Sequence, residues 1–411
     1  MRAYSSEEMG MSRKVTLNAL DCAASLTGCF LKNGRLTPAY EAVNTGGRAP
    51  ENTAVLTFSL ATQRYFACTD SETYVSGDSE NFVKVCSFAS PYAFLLEDYA
   101  GDMPRSIFVT GDRATVYTGN TQTVKALKFS LLFGAMHCGR VFGIDGNNPL
   151  LLRWSGAGGI EDWEESLNGS GQMHLAAKKG KAVGVFPFGK RLAVVQKFGI
   201  TLLDMQSEPE KFSVSFTEAD CASILSSTAC AIGEKLYFFT NDGLKVFDGK
   251  SISPVAFLHA AEIENPCRAV AYDGKYFAAC TVGASGNKAV ACVDPQSGES
   301  CIIDYHADNM FVNNGLILSG PQGCARLSKS GNFTFLSNEI NFGTGREKTV
   351  VEMFIDGVCD VRISSGKKSR TFTSASGLVR PKLRGKSFTV TLDGSGEISK
   401  VLLTAEVLDA I

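Results

Sequence analysis

The sequence predicts an all-β protein, a six- or seven-bladed β-propeller followed by a small C-terminal antiparallel β-domain. Three observations carry that expectation. A strand–turn–strand unit recurs through the middle of the chain, Asp-Gly and Asn-Gly dipeptides punctuate it, and period-two alternation replaces the repeat near the end.

The repeated unit reads "RYFACTD…ETYVSG", "SIFVTGDRATVYTG", "GRVFGIDG…LLLRWSG", "GKRLAVVQKFGITLLD", "GEKLYFFTNDGLKVFDG", "GKYFAACTVG…AVACVD" and "GLILSGPQGCARLSKSG". Its first aligned apolar residues are Tyr65, Ile107, Val141, Leu192, Leu236, Tyr276 and Leu316, at spacings of 42, 34, 51, 44, 40 and 40 residues. A period near ~40 with several strands in each period is what propeller blades require, and seven is the count the hairpins favour. Asp145-Gly146, Asp242-Gly243, Asp248-Gly249, Asp273-Gly274, Asp356-Gly357 and Asp393-Gly394 supply turn dipeptides. Asn33-Gly34, Asn168-Gly169 and Asn314-Gly315 supply more. Such pairs accept the positive φ that two-residue hairpins impose. No Gly-His…Trp-Asp pair, tandem Gly or Ser-x-Asp-x-Gly-x-x-Trp box recurs per blade, so the propeller is of a divergent type. A pair of β-sandwiches is the competing architecture.

Residues 1–50 have weaker periodicity and read as an N-terminal docking arm, residues 51–342 as the propeller, and residues 343–411 as the C-terminal β-domain. In the last segment Phe388, Val390 and Leu392 take one face while Thr389 and Thr391 take the other.

Composition narrows the function classes. The 411 residues are 44% hydrophobic, which argues against disorder, and carry a net charge of −2, which gives no global field for a polyanion. Forty-one glycines against 12 prolines fit many tight turns. None of the 13 cysteines forms a CxxC pair, and Cys68, Cys280 and Cys292 lie in apolar runs, as buried free thiols do. That usage suits a reducing cytoplasm. "SLTGC" has the pattern of a lipid-modified Cys29, but Asn18 and Asp21 interrupt the apolar stretch that export would need. No segment approaches the ~18 apolar residues of a membrane span.

Catalytic chemistry needs converging groups, and the sequence offers few. His137, His174, His259 and His306 share no metal-ligand spacing, no GxSxG elbow is present, and "GTGREKT" lacks the GK[ST] ending of a phosphate loop. The expectation is therefore no enzyme, no metal and no cofactor. Two charged features stand out. Residues 361–386 carry eight basic side chains and no acidic one, among them Arg380, Lys382, Arg384 and Lys386. The stretch after Trp154, "GIEDWEE", sets Trp163 among Glu161, Asp162, Glu164 and Glu165 in the loop that lengthens the longest spacing. A glycosidase needs two carboxylates flanking its substrate at fixed separation, which neighbours in one loop do not supply. The loop is thus expected to protrude as a subunit contact, with Arg380, Lys382, Arg384 and Lys386 as its oppositely charged counterpart. A carbohydrate-binding or glycan-hydrolysing propeller is the alternative.

With these residues in hand, the chain resembles bacteriophage and prophage tail proteins built on a β-propeller, the nozzle or hub components. The resemblance lies in "LKNGRLTPAYEAVN", "GRVFGIDGNNPLLLRWSGAGGIEDWEES", "AVGVFPFGKRLAVVQKFGITLLD" and "VRPKLRGKSFTVTLDGSGEISKVLLTAEV". It implies a structural protein of the virion tail, assembled in the bacterial cytoplasm, that forms a ring with its own copies. Its implied partners are neighbouring tail or connector proteins, with non-specific contact to passing DNA, and it implies no catalytic residue or cofactor.

Overall fold

The computed structural model describes residues 12–32, 34–87, 92–99, 103–157, 160, 162–163, 169–204, 212–218, 223–257, 259–283, 286–328 and 332–408. Apart from the single-turn 3-10 segments Ala19–Cys22 and Ala177–Lys179, the regular structure among these residues is β-strand. The chain is all-β with a β-propeller arrangement. It divides into two compact units, one of Val43–Gly298 with Tyr305–Arg326, the other of Met1–Ala42, Glu299–Asp304 and Leu327–Ile411.

The propeller unit is a succession of antiparallel meanders. The first sheet holds Val55–Ser59, Arg64–Cys68, Glu72–Ser76 and Val83–Ser87. Phe66, Ala67 and Cys68 are all buried in succession, because both faces of the sheet are covered. A six-stranded sheet follows, from Ala93–Asp98 through Arg105–Thr118, Thr121–His137, Arg140–Asp145 and Leu151–Trp154 to Gly171–His174. Two four-stranded sheets come next, Ala182–Phe188 to Ser213–Glu218 and Cys230–Ile232 to Ile252–Pro254. Ile263–Tyr272, Lys275–Val282 and Asn287–Asp294 form the next meander. The last sheet joins Asn309–Val312, Leu316–Gly320 and Gly323–Ser328 to Glu41–Asn44, far upstream in sequence. Thr45 reinforces that join by donating through both N–H (2.9 Å) and Oγ1 (3.0 Å) to the Cys324 carbonyl.

The leading strands of these meanders neighbour one another in order. Val55–Ser59 lies beside Ala93–Asp98, then come Thr121–His137, Ala182–Phe188, Cys230–Ile232, Ile263–Tyr272 and Asn309–Val312, which lies beside Val55–Ser59 again. Apolar clusters fill the spaces between consecutive sheets. Phe66 of the first sheet meets Phe108 at 5.2 Å and Tyr117 at 5.7 Å between ring centroids in the second. Each such fully buried side chain contributes roughly 1.5–3 kcal/mol by leaving water.

Arg105–Thr118, fourteen residues long, cannot run straight. A straight strand of that length spans ~45 Å, yet the Met103 sulfur lies 3.7 Å from where a Cβ on Gly119 would stand. Phe108 and Tyr117 also meet the same ring. The chain folds back at Gly111, whose φ is +61°. Thr121–His137 likewise changes partners, pairing through Ala126 with the strand before it and from Leu131 onward with the strand after it.

Turn chemistry repeats as well. Asp78, Asp145, Asp248 and Asp294 each accept through Oδ1 from the backbone N–H groups two and three residues ahead. Asp273 (φ +52°) and Gly274 (φ +71°) form the two-residue turn expected of them. Asp356-Gly357 and Asp393-Gly394 do not turn the chain; they lie within Lys348–Ser365 and Thr389–Gly394, and Gly357 (φ +138°) sits where the register to Lys368–Val379 shifts.

The second unit orders its strands Ser12–Asn18, Lys400–Leu408, Lys348–Ser365, Thr389–Gly394, Phe333–Ser337 and Ala23–Thr27. Ser12–Asn18 pairs along its length with Leu402–Leu408. Ser12–Asn18 therefore shares a sheet with the C-terminal strands, in the unit that takes up the chain again at Leu327. Its core includes Phe335, Val361, Ile363, Phe388, Val390 and Leu403. Lys348 is fully buried, and its Nζ donates to the carbonyls of Asn341 (2.8 Å), Thr344 (2.7 Å) and Lys386 (2.6 Å). Burial pulls its ammonium below the usual lysine range.

Candidate interaction site

Of the acidic aromatic loop, the two anchoring ends and Asp162 and Trp163 lie among the described residues. Ser155 and Gly169 are fastened by Arg140, whose Nη1 donates to both carbonyls at 3.0 Å, and Trp154 Nε1 donates to Gly169 O at 3.1 Å. Gly156 N–H donates to Asp162 O at 2.7 Å. Trp163 is 9% exposed and lies among Leu96, Ile107, Val116, Leu131 and Val141, its ring edge-on to Phe129 at 6.4 Å. Its Nε1 donates to Ile160 O. Trp163 is thus core between two hairpins, and its indole is not presented for a subunit contact. Burial of ~200 Å² of indole won over the loop's acidic composition. Glu161, Glu164 and Glu165 lie outside the described residues.

The basic row is placed as the alternation requires. Arg380, Lys382, Arg384 and Lys386 are all exposed, while Pro381 and Leu383 between them are buried. Arg384 pairs with Glu347 at 2.8 Å and Arg380 lies 3.8 Å from Glu352. Lys382 and Lys386 have no ion-pair partner among the described residues, so the row keeps two unmatched cations.

A feature the sequence reading passed over is a cavity of 880 Å³ within the propeller unit. One wall is the turn after Lys235–Thr240, with Asn241 and Asp242; the other is a bulge in Ile263–Tyr272. Glu264 pairs with Thr281 and Arg268 with Ala279, so the intervening residues arch out of the ladder. The arch is held by Asn265, at φ +48°, whose Nδ2 donates to Thr281 Oγ1 (3.3 Å), which donates to Glu264 O (3.0 Å). Below it Arg268 donates to Asn309 Oδ1 and, at 3.4 Å, to Ala54 O, tying the bulged strand to its neighbours. Burial lowers the Arg268 guanidinium from its usual range. The floor is apolar, with Leu225, Phe239, Leu244 and Phe257, and the rim carries the carboxylates of Asp242 and Glu264. The sequence signal was Asn265-Pro266, a pair that interrupts an otherwise strand-like segment.

No three His, Cys, Asp or Glu side chains among the described residues could share a metal ion. His306 Nε2 sits 3.0 Å from Asp308 Oδ1 and accepts from Lys288 Nζ at 2.8 Å, a charged surface cluster without a nucleophile. No helix among the described residues is long and apolar enough to cross a membrane.

No protein-family model matches the chain, and no curated protein does. Solved structures give likenesses at low identity. The WD40 domain of Neurospora crassa Pan2 aligns over 67% of this chain and 88% of that one, at 10% identity and a TM-score of 0.43. Hsv2 of Kluyveromyces marxianus covers 70% and 93%, at 9% and 0.40. AztD of Citrobacter koseri covers 83% and 90%, at 11% and 0.40. The likeness concerns the fold alone.

Proposed function

We propose that the chain is a non-enzymatic structural component of a phage or prophage tail, assembled in the bacterial cytoplasm and acting as an oligomeric ring around the DNA conduit. Its propeller has seven blades on this reading. The six-stranded sheet counts as two, because Arg105–Thr118 folds back at Gly111 and Thr121–His137 changes partners after Ala126. Seven leading strands then succeed one another and return to the first. The finely divided sheets end in short edge strands such as Val83–Ser87 and Ile252–Pro254, which suits a wall that must resist opening.

The observation that carries the reading is the exposed row Arg380, Lys382, Arg384 and Lys386, four cations of which only Arg380 and Arg384 have a carboxylate beside them among the described residues, on a chain of nearly neutral net charge. Such a row suits register-fixing contacts with copies of the chain, with neighbouring tail or connector proteins, or with passing DNA phosphates, without base readout. The motif resemblance to propeller tail proteins supports the same reading. Mass spectrometry and immunogold labelling of purified virions test it. The expected result is the chain at the tail in every particle. Its absence from virions, or specific saccharide capture on a glycan array, overturns it.

A further inference from the structure

We propose that the cavity between the Asn241–Asp242 turn and the Asn265 bulge receives long basic side chains of the Arg380–Lys386 row from a second copy of the chain, a docking that rests on the ring reading above. The chemistry of the cavity is specific in two respects. Its floor is apolar, through Phe239, Phe257 and Leu244, and its rim carries two carboxylates, Asp242 and Glu264, with no lysine or arginine lining it. Neither carboxylate has an ion-pair partner among the described residues. A lysine or arginine side chain matches that layout, since its methylene stem covers apolar surface while its charged end stays at the polar rim. The rim is formed before docking, because Asn265 and Thr281 hold the arch in place.

The donor row has the complementary defect. Arg380 and Arg384 are matched within their own unit by Glu352 and Glu347, whereas Lys382 and Lys386 are not. Lys386 is also held at its backbone, where its carbonyl accepts from buried Lys348, so the row is a fixed ledge. Donor and acceptor are different surfaces of one chain. Contacts of that kind run head to tail and close into a ring when the rotation permits.

The test uses the full chain in three forms: the native protein, Asp242→Lys with Glu264→Lys, and Lys382→Glu with Lys386→Glu. Mass photometry follows assembly, thermal melts check folding, and a fluorescent peptide of residues 378–388 probes the cavity directly. Each double variant is expected to melt as the native protein does and to lose the oligomer, and the chain carrying all four substitutions regains it. The peptide is expected to bind the native cavity and to bind the lysine-substituted cavity at least about tenfold more weakly, less so at high salt. Native oligomers that persist in both double variants overturn the docking and leave the ring reading standing. A native protein that stays monomeric but binds the peptide through Asp242 and Glu264 sinks the ring and supports the docking chemistry. Failure of the peptide to bind any form overturns the docking, as does binding of a small aromatic amine with no binding of the peptide.

Discussion

Trp163 shows how far a side chain can depart from its sequence neighbours. Four acidic residues surround it in sequence, yet its ring lies in an apolar cluster against Phe129. Replacing Trp163 with Ala should therefore cost ~3–5 kcal/mol of folding stability by opening a cavity. Denaturant melts measure it, and a variant with an unchanged midpoint but altered oligomer mass would restore the interface role. Lys348 is a second test at this scale. Lys348→Met keeps the volume but leaves the carbonyls of Asn341, Thr344 and Lys386 without their donor. A loss of about 2 kcal/mol or more is expected, and an equally stable variant would show that water replaces the ammonium freely.

Short elements are where the chain was most readable. Hairpins such as Lys235–Thr240 with Gly243–Phe247 are specified by residues within a dozen positions of each other, so alternation and turn dipeptides sufficed to place them. Elements whose partners lie far away were obscure. Ser12–Asn18 has polar alternation and takes its register from Leu402–Leu408 at the other end of the chain, which no local pattern encodes. The cavity was invisible for the same reason, since its walls come from two meanders and its bulge breaks the repeat instead of following it. Among the turns, the buried Asp145 combines two backbone N–H donors with Arg153 Nε at 2.6 Å, and Arg153 in turn lies 3.7 Å over the Phe129 ring. Asp145→Ala should lower stability by ~1–3 kcal/mol, more than the same change at exposed Asp248, in parallel thermal melts. Equal effects at the two sites would mean that the turn alone matters and the Arg153 link does not.

At the scale of the molecule, the thiols link folding to pH. The twelve described cysteines are all free, and Cys138 and Cys267 are the exposed ones among them. Burial pushes Cys68 and Cys359 up to about 11, and Cys230 and Cys280 up to about 12. The folded chain thus keeps protons that unfolded thiols release near pH 9, the ordinary value. Their contribution is complete below that pH and is lost as pH climbs toward 11–12. Melting temperature should fall across that interval, with a thiol reagent labelling Cys138 and Cys267 first; a flat profile to pH 11 would contradict the burial of the thiols. The last sheet of the propeller unit has a different consequence. Glu41–Asn44 and Thr45 find their partners only around Gly323–Ser328, some 280 residues later. A ribosome adding ~5–20 residues each second needs roughly a quarter of a minute to a minute to cover that distance. Throughout that time the nascent chain carries an unpaired strand with free backbone donors and acceptors. The seam that completes the sheet is thus also the interval in which the emerging polypeptide is most open to chaperones and to mispairing with another nascent copy.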